Sequence, residues 1–146
     1  MKNNRTVKLS ILYCLFLCVM STNADEKTYG NVVINFVGTV YDGGVFTASI
    51  VDWPAIAGDH IQVRISGITT PSLKDKRPEM KAKAQQLKEY VVRRLKEGKK
   101  IELVDMRRDK YFRILAVVLI DGKDLGEELV NVGLAKEYKT GEKTDW

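Results

Sequence analysis

"HIQVRISGITTPSLKDKRPEMKAKAQQLKEYVVRRLKEG", His60 to Gly98, changes its hydrophobic period in the middle. Its first part alternates. Ile61, Val63 and Ile65 fall on one face and Gln62 and Arg64 on the other, the period-2 signature of a half-buried strand over His60–Ile68. "TTPSLKDKRP" then reads as a loop. Beyond it, Met80, Ala84, Leu87, Val91 and Leu95 recur at spacings of 4, 3, 4 and 4, one stripe of a helix. Pro78 suits the first helical turn, and Gly98 marks the stop.

Working outward, "NVVINFVGTVY" (Asn31–Tyr41) is rich in β-branched and aromatic residues and reads as a strand. "DGG" (Asp42–Gly44) is a hairpin signal, and "VFTASIV" is its partner strand. "DWPAIAGD" (Asp52–Asp59) reads as a loop broken by Pro54 and Gly58. After the helix, "KIELVDM" (Lys100–Met106) and "YFRILAVVLI" (Tyr111–Ile120) read as strands four and five, closed by a turn at Asp121-Gly122. "LGEELVNVG" (Leu125–Gly133) reads as a short helix ending at glycine. The order β-β-β-α-β-β-α predicts a mainly β, α+β domain: a five-stranded OB-fold barrel, with a generic α+β sandwich as the alternative.

The 146 residues suit one domain. The first 24 read as a secretory signal: a basic "MKNNRTVK", an apolar "LSILYCLFLCVM" and a small-residue end with Thr22 and Ala24. Cleavage after Ala24 would leave residues 25–146 as an exported periplasmic or secreted domain with no transmembrane segment. Both cysteines, Cys14 and Cys18, lie in the leader, so the remaining chain relies on its hydrophobic core. Residues 25–146 hold 21 basic and 19 acidic residues, too even a balance to argue for nucleic acid. The distribution is more informative. Lys74–Arg113 carries 15 Lys/Arg against 7 Asp/Glu, and its flanks are acidic. Such a segment attracts phosphates, or it is a solvated helix face.

Three ordered stretches carry a resemblance: "VYDGGVFTASI", "VRISGITTPS" and "DKYFRILAVVLIDGKDLGEELVNVGLAKEY". Together they resemble the staphylococcal-nuclease-like (thermonuclease) domain over nearly all of residues 25–146. Active members of that family are calcium-dependent phosphodiesterases. The resemblance implies that Arg64 and Arg113 hold phosphate and offset its developing charge. It implies phosphate contact by Lys110 and Tyr111, a pocket role for Tyr138 and a calcium-facing carbonyl at Thr70.

The acids of the family do not carry over. Its metal-binding aspartates fall on Gly44 and Thr69, and its general-base glutamate falls on Ser72. Phe112 stands where the family has a small glycine. Calcium needs charged oxygen ligands and water needs a base. The expectation is therefore a pseudo-nuclease, with no metal or other cofactor, that binds DNA or RNA through the Lys74–Arg113 segment, or another phosphate-bearing ligand, without cleaving it. Two alternatives stay open. One is a calcium-dependent phosphodiesterase with a rearranged site using Asp42 with Asp75 or Glu79. The other is an envelope protein-interaction module. His60 lacks the partners of a catalytic or metal histidine. Phe36, Tyr41, Phe46, Trp53 and Phe112 offer stacking surfaces for single strands, although core packing explains most of them.

Overall fold

The computed structural model describes residues 27–138 and Trp146. The expected secretory signal and its cleavage after Ala24 lie outside them. Among the described residues, eight strands and three helices run in the order β1 (Val32–Val40), β2 (Val45–Ile50), α1 (Ala55–Gly58), β3 (Ile61–Ile65), β4 (Ile68–Thr69), α2 (Pro78–Glu97), β5 (Ile101–Arg108), β6 (Ile114–Ile120), β7 (Lys123–Asp124), α3 (Leu125–Asn131) and β8 (Lys136–Glu137).

The main sheet has the order β3-β2-β1-β5-β6-β7, and a further parallel pairing of β3 with β6 closes it. The result is a five-stranded barrel, as the pattern predicts. Two bulges bend its strands. One lies between Phe36 and Val40 around Gly38, at φ +95°. The other lies between Val104 and Arg107 at Asp105, at φ +51°, whose N–H donates to Asn31 Oδ1 at 3.1 Å. Phe46, Val63, Leu103 and Val118 fill the interior. Phe36 meets Phe46 edge-to-face, so core packing accounts for these two rings.

Helix α2 buries Ala84, Leu87, Val91 and Leu95, the stripe visible in the sequence. Pro78 opens it, and the Gly98 N–H closes it onto the Arg94 carbonyl. Helix α3 is capped by Asp124, whose carboxylate accepts from the N–H groups of Gly126 and Glu127 at 2.7 and 3.3 Å. It ends in a Schellman turn. Gly133 takes φ +74°, and the N–H groups of Gly133 and Leu134 reach the carbonyls of Val130 and Leu129. Tyr90 and Arg94 of α2 both donate to Glu128 of α3, Arg94 Nε at 2.8 Å, and so lock the two helices together.

Three boundaries differ from the sequence reading. The loop Asp52–Asp59 contains the single helical turn α1. The third strand breaks after Ile65, because Gly67 turns the chain at φ +73°; Ile68–Thr69 then pairs with β8 instead. The fifth strand starts at Ile114, since residues 110–112 form a turn. Among the described residues, no helix is long and apolar enough to cross a membrane.

Candidate functional site

Barrel closure assembles the site. Arg64 lies on β3 opposite Val45 of β2 and Leu115 of β6. The Asp42–Gly44 turn leads into β2, and the turn ending at Arg113 leads into β6. Both turns therefore arrive beside Arg64. A cleft of about 100 Å³ results, with Asp42, Gly44, Arg64, Thr70 and Arg113 on its walls and Val45, Ile65 and Ile68 completing it.

The hairpin tip is held by close approach. Gly43 has φ +68°, and a Cβ there would lie 2.4 Å from Leu87 Cγ of α2. Only glycine lets this turn rest on the helix. A Cβ on Gly44 would face Thr70, 3.2 Å from its Oγ1 and 3.3 Å from its Cγ2, with the backbone in an ordinary conformation. A side chain on residue 44 would thus project against Thr70, on the wall of the same cleft.

Arg113 is oriented by a residue that the sequence reading passed over. Asp109 accepts from the backbone N–H groups of Tyr111 and Arg113 at 2.8 and 2.9 Å. Its other oxygen takes Arg113 Nε at 2.7 Å. Burial raises the Asp109 pKa, but the Arg113 hydrogen bonds and charge outweigh it, and the net shift is downward. The i,i+4 spacing of Asp and Arg in "DKYFR" was the available signal. The Arg113 guanidinium also sits 5.2 Å from the Tyr111 ring centroid. Its terminal amino groups carry no hydrogen bond among the described residues, and Arg64 has no ion pair there.

The remaining candidates lie elsewhere. Tyr111 braces Arg113 from an exposed turn, and Lys110 extends from that turn with its ammonium over Tyr111; neither lines the cleft. Tyr138 is placed in a separate cleft with Ser66, Asp124, Glu127 and Glu137, apart from the arginines. Thr69 sits half-buried in β4 beside Thr70. Ser72 closes a local turn, its Oγ accepting from the Lys74 N–H at 3.1 Å. Asp75 is tied to Arg77, whose Nε and Nη2 donate at 3.0 and 2.8 Å. These hydrogen bonds hold its carboxyl at about 2. Neither Asp75 nor Glu79 reaches the cleft. His60 is exposed and bonds Asp59 at the start of β3.

The residues from β3 onward match a model of the staphylococcal nuclease homologue family, over 62–145. The chain belongs to this family. A comparison with curated proteins found no match. The matched span carries Arg64, Thr70 and Arg113, and the β1–β2 hairpin that completes the cleft precedes it.

The calcium of active family members fits this lining poorly. Among the described residues, Asp42 is the one carboxylate on the cleft wall. Among the described residues, no three His, Cys, Asp or Glu side chains gather as a metal set. A hard divalent cation takes six or more oxygen ligands, several of them anionic. Two guanidinium groups with one carboxylate form instead a pair of cations suited to a phosphodiester.

Proposed function

We propose that this protein is a pseudo-nuclease that binds nucleic acid and does not cleave it. The observation that carries the reading is the cleft: Arg64 and Arg113 converge on it, and its walls offer a glycine at residue 44. Phosphodiester hydrolysis needs charge compensation and a base to activate water. The arginines supply the first in part. Loss of a general base alone typically costs about 10²–10⁴ in rate, and loss of the metal removes the main Lewis acid as well.

A nuclease assay with Ca²⁺ tests this on two proteins: the natural chain and the combined variant Gly44→Asp, Thr69→Asp, Ser72→Glu. Residue 44 has room for the change if Thr70 yields by a few tenths of an ångström. The expected result is DNA or RNA binding by both and cleavage by the variant alone. Cleavage by the natural chain overturns the proposal. Asp42 on the cleft wall favours a second reading, a divergent calcium-dependent phosphodiesterase. Cleavage by the natural chain that vanishes in Asp42→Asn would establish it.

The basic, apolar and small-residue pattern of residues 1–24 supports an exported protein. N-terminal sequencing of the product, with Asp25 expected as the first residue, tests that part.

A further inference from the structure

A second surface takes Phe112 from the same turn that gives Arg113 to the cleft. A groove of about 430 Å³ is lined by Tyr29, Trp53 and Phe112, with Arg107, Arg108 and Ile114. Its volume falls in the range of small-molecule sites. Trp53 is half-buried against the core, but Tyr29 and Phe112 are exposed, an unusual use of large rings that normally go inside.

Each ring is held by the fold. Tyr29 is pinned to β5 through its N–H on the Met106 carbonyl, at 2.8 Å. Trp53 packs on Gly58 of α1, where an added Cβ would come within 2.6 Å of the tryptophan Cβ. Phe112 is 80% exposed and takes φ +67°. That conformation is costly for a residue with a Cβ, and here it displays an apolar ring to solvent. Arg108 stabilises the arrangement. Its Nη1 donates to the Phe112 carbonyl at 2.8 Å, and its guanidinium lies 5.0 Å from the Phe112 ring centroid. Neither local preference nor core packing explains a phenylalanine here.

Aromatic faces beside arginines are what an unpaired, phosphate-linked base requires. The ring accepts the base by stacking, and the guanidinium offsets the phosphate charge. Bases within a duplex have their faces covered and cannot use such a platform. Phe112 and Arg113 are consecutive, so a single turn presents a ring to the groove and a cation to the phosphate cleft.

We infer that the Tyr29–Trp53–Phe112 groove stacks unpaired bases, which makes the ligand class single-stranded nucleic acid. The inference rests on the phosphate-cleft reading and adds base stacking to it.

The test measures binding at low salt of three probes to the intact protein: a 12-nucleotide oligothymidylate, an abasic deoxyribose-phosphate oligomer of equal length, and a duplex. Quenching of Trp53 fluorescence is followed in a Trp146→Phe background. The natural chain should prefer oligothymidylate over the abasic oligomer by roughly 5- to 150-fold per stacked base. It should also prefer oligothymidylate over the duplex. Phe112→Ala keeps the backbone class and should erase most of the preference, and Phe112→Tyr should retain it. Arg64→Ala with Arg113→Ala should weaken oligothymidylate and abasic binding alike. If the natural chain binds all three probes equally and Phe112→Ala changes nothing, the stacking inference falls and the phosphate cleft stands. If it binds none, the phosphate cleft falls and this inference with it.

Discussion

Gly43→Ala tests the contact that brings the hairpin to the cleft. Gly43 lies at φ +68°, a conformation that costs an L-residue about 1–2 kcal/mol. The new methyl would also lie 2.4 and 2.6 Å from Cγ and Cδ2 of Leu87, which is fully buried on α2. Overpacking of this kind adds about 1–3 kcal/mol. The expected loss is therefore roughly 2–5 kcal/mol, read by urea unfolding with an unchanged slope. A double-mutant cycle separates the two contributions. Leu87→Ala alone should cost about 2–5 kcal/mol by leaving a cavity. Combined with Gly43→Ala, it removes the clash but not the backbone strain. The double variant should then be more stable than the sum of the single changes by about 1–3 kcal/mol. Oligonucleotide binding should weaken in Gly43→Ala, because Asp42 and Gly44 flank the displaced residue. A Gly43→Ala protein within about 0.5 kcal/mol of the natural chain would refute the strained turn. An additive cycle would refute its contact with the helix.

Three further outcomes are expected. Phe112→Gly should raise stability by about 1 kcal/mol, since glycine accepts the left-handed conformation without strain; unfolding midpoints check this, and a loss of stability would contradict it. Arg64→Ala and Arg113→Ala should each lower the slope of log affinity against log salt for single-stranded DNA by about 0.7, seen in a salt titration; unchanged slopes would place the phosphates elsewhere. The Tyr90–Glu128–Arg94 cluster should shape the pH dependence of stability. Burial raises the Glu128 pKa, but the Tyr90 and Arg94 hydrogen bonds bring it net below its ordinary 4.5, so its contribution is present above pH 4.5 and lost as pH falls through the lowered value. The hydrogen bond to Glu128 raises the Tyr90 pKa above 10.0, so that contribution is present below pH 10 and lost as pH rises through the raised value. Glu128→Gln should lower stability by about 1–3 kcal/mol near neutrality and flatten the acid limb in pH-dependent urea titrations.

Much of the fold could be read locally. The stripe from Met80 to Leu95 and the glycine stops at Gly98 and Gly133 state helices in their spacing, and the alternation of Ile61, Val63 and Ile65 states a strand. The site was legible only in part. Arg64 and Arg113 stand out through their motifs, and the structure brings both to one cleft with Gly44. Asp109 was missed, although its spacing from Arg113 is visible, because a solvent-exposed turn acid looks the same in sequence. Tyr138 was grouped with the arginines because no local signal tells which cleft a tail residue enters.

Side-chain period, turn chemistry and motif order are properties of neighbours along the chain, and the sequence alone determined these: a β-rich domain, its long helix, and the motif positions of Arg64 and Arg113. Barrel closure is a pairing between β3 and β6, strands some fifty residues apart. That pairing sets Arg64 beside Arg113 and brings Gly44 against Thr70. Tertiary packing also decided that Phe112 would stand beside Tyr29 and Trp53, since the groove they line joins segments far apart in the chain.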